Sequence, residues 1–357
     1  MPTRKITILL ISILYCIRIS AERPNLLYNV DFLTYFDNRE YHSEYQIPQT
    51  IFSFRLSPEI GIGINDRSGG SHRVMAGIHY TQPLGAYWDK SNFSPIAYYR
   101  YDYKGIRISL GSIPYIQRIE RLPDYLLYDS IAYATPNIRG ALLSYSSNIG
   151  YVEFMCDWRG FRSDKTREMF RLVLNGLYHH HWLELGGLAQ INHKAGFAPP
   201  AQHEGVCDDI YIQPQIGINL SKYTPLDSIC LRGSYIIGIQ RYRDIQSTKI
   251  PQGGLIEFFA RWRFVGLENT LYFGQNLMPF YSYYGSDLNQ GDPFYRSPLY
   301  NRTDLFLYLI NNNFVNCYFS WNIHYDAQRI QHQQQLIIRF SLDGLHKKEK
   351  LKGLFDK

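Results

Sequence analysis

Alternation of apolar and polar residues with a period of two is the feature that most restricts the fold of this chain. It recurs from Tyr28 to Phe340. Residues 50–64 show it clearly, with one face made of Phe52, Phe54, Leu56, Ile60 and Ile62 and the other of Ser53, Arg55, Ser57, Glu59 and Gly61. Successive side chains of a strand point to opposite faces, so each segment predicts a strand with an apolar and a polar face.

The links between these segments alternate in length. Short links lie near residues 65–71, 103–105, 147–150, 179–181, 221–226, 265–266 and 311–313. Longer polar links lie near residues 37–49, 83–91, 114–136, 160–167, 195–208, 243–252, 278–302 and 326–332. Short turns on one side and long loops on the other are typical of membrane barrels. The chain is therefore predicted to be all-β, a transmembrane, antiparallel, up-and-down β-barrel of about 16 strands.

Composition supports a membrane barrel over a soluble fold. Aromatic residues make up 16% of the chain, with 31 Tyr and 20 Phe, and membrane barrels place such rings in girdles at their two water interfaces. The alternative is a soluble β-sandwich, which also has many short strands. Its polar faces would carry many Lys and Glu, whereas here they are rich in Gly, Ser, Asn, Gln, Tyr and Arg.

The two ends of the chain differ from its body. Arg4 and Lys5 precede an uncharged run from Ile6 to Ile17, and small residues follow at Ser20 and Ala21. This pattern predicts a signal peptide at residues 1–21, with an uncleaved membrane anchor as the alternative. Residues 22–341 are expected to form the barrel and residues 342–357 a basic periplasmic tail. Most of the formal charge of +6 lies in these two ends, so a nucleic-acid partner is not expected.

The stretch FDNREYHSEYQIPQTIFSFRLSPEIGIGI, from Phe36 to Ile64, resembles the beginning of a group of uncharacterised Bacteroidetes outer-membrane β-barrel proteins. The resemblance implies a barrel fold and a place in the bacterial outer membrane, with lipid as a partner. It implies no role for any residue.

Charged residues fall on the face that we expect to line the lumen. They include Arg55, Glu59, Arg100, Arg107, Arg139, Arg159, Arg171, Glu184, Arg232, Glu257, Arg261 and Arg263. Guanidinium and carboxylate groups can brace a barrel wall across its strands, or the excess of arginine can favour anions in a pore. Both interpretations stay open at this point.

One long loop is unusually aromatic. It carries Tyr281, Tyr283, Tyr284, Phe294 and Tyr295 among amides and carboxylates. Rings that stack on sugar faces beside such groups are typical of glycan sites, and we take these five as possible glycan contacts. The alternative is an aromatic girdle with a loop that plugs the lumen.

No catalytic motif, metal-ligand spacing or cofactor fingerprint is found, so no catalytic residue, metal or cofactor is predicted and the chain is expected not to be an enzyme. The leading hypothesis is a porin-like channel for small hydrophilic solutes, such as small anions or oligosaccharides. One alternative is a surface-binding or structural barrel closed by its loops. The other is a hydrolase at the rim, with candidates among His42, Glu44, His203, Glu204, Asp208 and Asp209. A rim histidine within hydrogen-bond reach of a carboxylate would favour the hydrolase.

Overall fold

The computed structural model of the chain describes residues 24–199 and 205–343. The predicted signal peptide and most of the predicted tail lie outside these residues, as do His203 and Glu204. None of the helices in the described residues is long and apolar enough to span a membrane.

The predicted barrel is confirmed. Within the described residues, all strands but the short β12 form one closed antiparallel ring, because the last strand pairs with the first and β11 pairs directly with β13. The ring therefore has sixteen strands. The strands are β1 (Asn25–Glu40), β2 (Gln49–Asn65), β3 (Ser71–Pro83), β4 (Asn92–Tyr103), β5 (Ile106–Pro114), β6 (Asn137–Ser147), β7 (Gly150–Gly160), β8 (Met169–His180), β9 (Leu183–Lys194), β10 (Cys207–Asn219), β11 (Ser228–Tyr242), β12 (Ser247–Lys249), β13 (Gln252–Trp262), β14 (Val265–Gly274), β15 (Leu299–Asn311), β16 (Val315–Tyr325) and β17 (Ile330–Asp343).

Most connections at one end of the barrel are short, and both described chain ends lie there. The turn between β4 and β5 consists of Lys104 and Gly105, which both have positive φ angles, of 45° and 83°. Two such residues form the type of hairpin turn whose twist matches the strands. We call this end the short-turn end and the opposite one the long-loop end.

Burial follows the alternation seen in the sequence. On β10, Ile212 and Ile216 are exposed on the outer wall, whereas Tyr211 and Gln213 are buried on the lumen side. On β16, Trp321 is exposed and Asn322 is fully buried. The apolar face of each strand therefore forms the membrane-facing wall, where lipid takes the place of a protein core.

Two long loops fold into the lumen, and we call them together the plug. The first, residues 115–136, contains a 3₁₀ turn (Tyr115–Gln117) and helix α1 (Asp129–Ala134). The second, residues 275–298, contains helix α2 (Tyr281–Tyr284) and 3₁₀ turns at Gly285–Asp287 and Pro293–Arg296; a further 3₁₀ turn (Trp88–Lys90) lies in another loop. Backbone hydrogen bonds join the two plug loops, from Tyr128 N–H to the carbonyl of Gln290 and from Asp292 N–H to that of Asp124, both 2.8 Å.

The plug fills the half of the lumen near the long-loop end. Its Leu122, Tyr125, Leu126, Phe294 and Tyr295 are buried in one apolar cluster with residues of the wall. Strand β1 shows where the filling stops, since its lumen residues Leu33, Tyr35, Asp37 and Arg39 are buried, whereas Leu27, Asn29 and Asp31, nearer the short-turn end, are partly exposed. The lumen is thus a vestibule that opens at the short-turn end and is blind at the plug.

Candidate functional site

Most of the charged residues assigned to the lumen lie on the lumen side of their strands, and several hold the plug. Arg159 donates hydrogen bonds to Asn192 and to the carbonyl of Asp287, and Arg171 donates one of 2.6 Å to Gln290. Arg232 pairs with Glu184 at 2.8 Å and with Glu120 at 3.5 Å. The others on the lumen side are Arg55, Glu59, Arg100, Arg107, Glu257 and Arg261. The plug thus uses several lumen arginines as anchors.

Two of the assigned residues lie elsewhere. Arg139 is exposed and shares the alternation of Tyr145, whose side chain faces the membrane. The adjacent Gly140 and Ala141 obscure the alternation in the sequence, because small residues occur on either face. Arg263 has a φ of 54° and lies in the turn between β13 and β14, with its guanidinium 5.1 Å from the ring centre of Trp262. Neither arginine lines the lumen.

The five aromatic residues proposed as glycan contacts do not share one surface. Phe294 and Tyr295 are buried inside the plug, at 0% and 2% exposure. Tyr281, Tyr283 and Tyr284 lie together on α2 at the rim, where Tyr283 is exposed. These rings were predicted to form one site because they belong to one loop. The loop turns into the lumen after Tyr284, so Phe294 and Tyr295 are separated from the three tyrosines at the rim.

The rim candidates are also separated. His42 and Glu44 lie in the loop between β1 and β2, on the opposite side of the ring from Asp208 and Asp209. The last two are neighbours on β10 that point to opposite faces. Asp209 is buried in the lumen, where Gln240 donates a hydrogen bond of 2.6 Å to it, and Asp208 lies on the outer wall.

Asp208 forms a dyad with a histidine that the sequence reasoning missed. His193 is the last residue but one of β9 and the cross-strand neighbour of Asp208. Its Nδ1 lies 2.6 Å from Oδ1 of Asp208. Because an ionised carboxylate can only accept, Nδ1 carries a proton, and in the neutral imidazole Nε2 keeps its lone pair. No partner of Nε2 is found in the described residues, and the side chain is 20% exposed. This is a histidine set up to accept a proton.

The dyad lies on the membrane-facing wall at the long-loop end. His193 shares the face of the exposed Ile191, and its ring stacks on Phe170 at 4.9 Å, which stacks in turn on Trp158 at 5.3 Å. Such rings mark the interface between hydrocarbon and headgroups. His193 is a polar residue at a position of β9 where the alternation predicts an apolar, membrane-facing side chain, and it lies close to the end of the strand. This is the sequence signal that could have identified it.

Two arginines stand next to the dyad. Arg243 donates a hydrogen bond of 2.9 Å from Nη2 to Oδ2 of Asp208, and it is about half exposed. Arg241 is the cross-strand neighbour of Asp208 on its other side and is exposed on the same outer face. Guanidinium groups bind phosphate and carboxylate oxygens with two parallel hydrogen bonds. The site thus combines a base with two groups that attract anions.

A second polar set faces the membrane at the same end, across β17, β1 and β2. Thr50 donates a hydrogen bond of 2.8 Å to Asn38, which donates one of 2.7 Å to Gln334. His332 is the cross-strand neighbour of Glu40. Among residues 24–199 and 205–343, Nδ1 of His332 has no hydrogen-bond partner, so within this part of the chain no carboxylate orients its ring through Nδ1 as Asp208 orients His193.

Comparison with solved structures places the fold among porins. The chain matches OccD3 of Pseudomonas aeruginosa with a TM-score of 0.52 and 8% identity, covering 90% of this chain and 92% of that one. A mutant porin of Rhodopseudomonas blastica matches with a TM-score of 0.49 and 9% identity, covering 89% and 100%. At these identities the likeness to OccD3 concerns the fold alone.

The sequence matches a family model described as lipid A 3'-O-deacylase-type over residues 19–348. This range includes the stretch on which the resemblance to a Bacteroidetes group rests, and it supports that resemblance at the level of a family. No curated protein matches the sequence. The expectation that the chain is not an enzyme is wrong, since the matching family is described by an enzymatic activity.

Proposed function

This chain belongs to the lipid A 3'-O-deacylase-type family, and on that premise we propose that it hydrolyses an acyl ester of a glycolipid in the outer leaflet of the outer membrane, with His193 as the general base. The observation that carries the proposal is the hydrogen bond of 2.6 Å between His193 and Asp208 on the membrane-facing wall. A porin-like fold of this kind belongs in an outer membrane, where such a lipid is at hand.

The geometry suits the activation of a water molecule. Asp208 fixes the imidazole and stabilises its protonated form, as carboxylates do for catalytic histidines. Nε2 of His193 takes a proton from water while the water oxygen attacks the ester carbonyl carbon. Collapse of the tetrahedral intermediate breaks the bond to the sugar oxygen, which receives the proton back from Nε2. The products are a fatty acid and a sugar hydroxyl, so atoms and charges balance without a cofactor.

The position of the dyad suits a lipid substrate. Its acyl chains would lie along the apolar wall below the dyad, where Ile191 and Ile212 are exposed. The ester groups of a glycolipid lie at the junction of hydrocarbon and headgroup, the depth that Trp158 and Phe170 mark on this wall. Arg241 and Arg243 would hold an anionic headgroup or the negative oxygen of the intermediate.

The plug argues against the open porin-like channel that the sequence first predicted. The fold is porin-like, but a steady aqueous path needs a lumen free of the buried apolar side chains of residues 115–136 and 275–298. The dyad lies on the outer wall and needs no open lumen. We therefore expect no steady passage of small anions or oligosaccharides while the plug is docked, which single-channel recording tests.

Replacement of His193 by glutamine tests the proposal. Full-length protein purified in detergent would be incubated with acylated glycolipid, and the loss of one acyl chain would be followed by mass spectrometry. We expect His193→Gln to lower the rate about 100-fold or more, because a positioned general base contributes about 10²–10⁴-fold. Asp208→Asn should act in the same direction, since an amide cannot stabilise the imidazolium.

His332→Gln is the matched control, because His332 is a second strand histidine of the described residues that faces the membrane at the long-loop end. It should retain the wild-type rate. Full activity of His193→Gln would show that the dyad is not the site, and loss of activity in His332→Gln alone would move the site to β17 and β1. A wild-type protein that releases no acyl chain would refute the function itself.

A further inference from the structure

We propose that Ser57 is a second nucleophile in this protein, activated by His79 and Asn137 at the blind end of the vestibule, where it reacts with esters of a single acyl chain. The proposal does not depend on the activity of the outer wall, because these residues lie on the lumen side of β2, β3 and β6. It rests on hydrogen-bond geometry, on a cavity and on the surrounding charge.

The three side chains form one chain of hydrogen bonds. Nδ1 of His79 lies 2.7 Å from Oγ of Ser57, and Nε2 lies 2.8 Å from Oδ1 of Asn137. The amide group of Asn137 also donates from Nδ2 to the carbonyl of Pro95 at 2.9 Å and to Ser94. These two donations fix Oδ1 as the atom that faces His79.

The network determines where the protons are. Because Oδ1 of Asn137 only accepts, Nε2 of His79 carries the ring proton and donates it. Nδ1 is then unprotonated and accepts the hydroxyl hydrogen of Ser57. A serine that donates to an imidazole oriented by a third group is the arrangement of an activated nucleophile.

A cavity of about 170 Å³ adjoins the network. Ser57, His79 and Arg55 line it, together with apolar residues of the plug such as Ile116, Ile119 and Leu122. It also reaches Asn29 and Asp31, which are partly exposed in the half of the lumen that opens at the short-turn end. A molecule that enters the vestibule from that end can therefore reach Ser57 with its apolar part against the plug.

Arg55 supplies positive charge next to Ser57. The two residues are separated by one position on β2 and share the lumen face, which places their Cα atoms about 7 Å apart. Arg55 donates to the carbonyl of Tyr133 at 2.7 Å, its Nε has no hydrogen-bond partner, and no carboxylate in the described residues lies within ion-pair distance of it. This guanidinium is placed to hold the negative oxygen of an intermediate or a ligand carboxylate.

The reaction follows from these positions. Oγ of Ser57 attacks the acyl carbonyl carbon as its proton passes to Nδ1 of His79. The ester bond breaks, the leaving alcohol takes the proton, and the acyl group stays on Ser57. Water then attacks the acyl-serine, with His79 again moving the proton, and releases a fatty acid. The wall of the cavity that the plug forms carries apolar side chains such as Ile119 and Leu122, which favours esters whose acyl part is one alkyl chain.

Labelling with a fluorophosphonate that carries an unbranched alkyl chain tests the proposal. Its phosphorus forms a bond to Oγ of the nucleophile, and fluoride leaves with the serine proton. The full-length protein in detergent would be treated with this probe and digested, and the modified residue located by mass spectrometry. We expect an adduct on Ser57 in wild-type protein and about 100-fold slower labelling in His79→Gln, since a general base contributes at least this factor.

Ser53→Ala is the matched control. Ser53 lies on the same face of β2 and is equally buried, but it donates to the hydroxyl of Tyr133 at 2.9 Å instead of to an imidazole. This variant should label at Ser57 at the wild-type rate, and so should His193→Gln, which separates the two sites. Absence of the adduct on Ser57 in folded wild-type protein, or equal labelling of His79→Gln and wild type, would overturn the proposal.

Discussion

Replacing Arg302 with glutamine should loosen the plug without unfolding the barrel. Arg302 lies on β15 at 4% exposure and binds carboxylates of both wall and plug. Its Nη1 lies 3.0 Å from Asp124, its Nη2 3.2 Å from Asp129 and its Nε 2.9 Å from Asp304. One guanidinium therefore pairs with three carboxylates, of which Asp129 and Asp304 are buried and Asp124 is partly exposed. Asp124 and Asp129 belong to the first plug loop.

The expected destabilisation of the docked plug follows from the carboxylates that lose their partner in Arg302→Gln. Removal of one partner from a buried ion pair costs about 3–5 kcal/mol, because the remaining charge stays desolvated. Protonation of the carboxylates can reduce this free-energy cost, so we expect a cost at the lower end of the range, about 3 kcal/mol. This corresponds to an increase of about 100-fold in the population of the undocked plug. The hydrogen bonds between strands are untouched, so the barrel itself should persist.

Amide hydrogen exchange measures this effect locally. Peptides from residues 125–134 should exchange about 100-fold faster in Arg302→Gln than in the wild type, whereas peptides from β2 and β10 should not change. Arg107→Gln is the control, because it removes an ion pair of 2.9 Å with Asp102 at the short-turn end of the wall. Unchanged exchange in the plug of Arg302→Gln would refute the view that this arginine holds it, and loss of protection throughout the barrel would show that it supports the wall instead.

Two further predictions concern the plug. Burial raises the pKa of the Asp124 carboxyl, although the charge of Arg302 opposes this shift. Protonation of Asp124 therefore stabilises the docked plug. The stability of the docked plug should be greatest below the ordinary carboxyl pKa of about 4 and should fall as the pH rises through the raised pKa. Plug exchange, corrected for intrinsic rates, should therefore be faster at pH 7 than at pH 5, and Asp124→Asn should weaken this dependence; the opposite trend with pH would contradict the assignment. Tyr125→Ala removes a ring buried at 2% exposure and a hydrogen bond of 2.7 Å to Gln213, which should destabilise the plug by about 3–5 kcal/mol. Planar-bilayer recordings should show current openings in this variant and none that persist in the wild type; a steadily conducting wild-type barrel would contradict the closed lumen.

Much of the fold follows from the sequence, because in a membrane barrel each strand meets lipid on one face and water or polar groups on the other. The alternation of Phe52 with Ser53 or of Trp321 with Asn322 is imposed by this boundary and is local. The alternating lengths of the links are equally local. The predicted face of the strand was wrong at Arg139, because the small residues beside it can occupy either face. It was also wrong at Arg263, because this residue lies in the tight turn that follows the strand.

The inside of the lumen could not be predicted in the same way. Phe294 and Tyr295 lie in the same loop as Tyr283, 11 and 12 residues after it. Only the path of the loop decides that Phe294 and Tyr295 are buried and that Tyr283 is exposed. The dyad of His193 and Asp208 depends on the register between β9 and β10, which brings together residues separated by a long loop. Sequence order does not encode that register, although the polar side chain of His193 in an apolar phase gives a hint of it.

The plug and the outer-wall site are connected by the mechanics of the barrel. Arg159 belongs to the wall, and by binding Asn192 and the carbonyl of Asp287 it ties β7 and β9 to the second plug loop. Lys194 next to His193 points inward and pairs with Asp287 at 3.1 Å. The strand end that presents His193 to the membrane is thus held from inside by the plug.

A general base must keep its geometry to within a fraction of an ångström to be effective. The docked plug restrains the strand end that carries His193, whereas in an open channel this strand end would be free to move. Undocking of the plug should therefore lower the deacylation rate in Arg302→Gln even though Arg302 lies far from the dyad in the ring; an unchanged rate together with accelerated plug exchange would show that the outer wall is rigid without it.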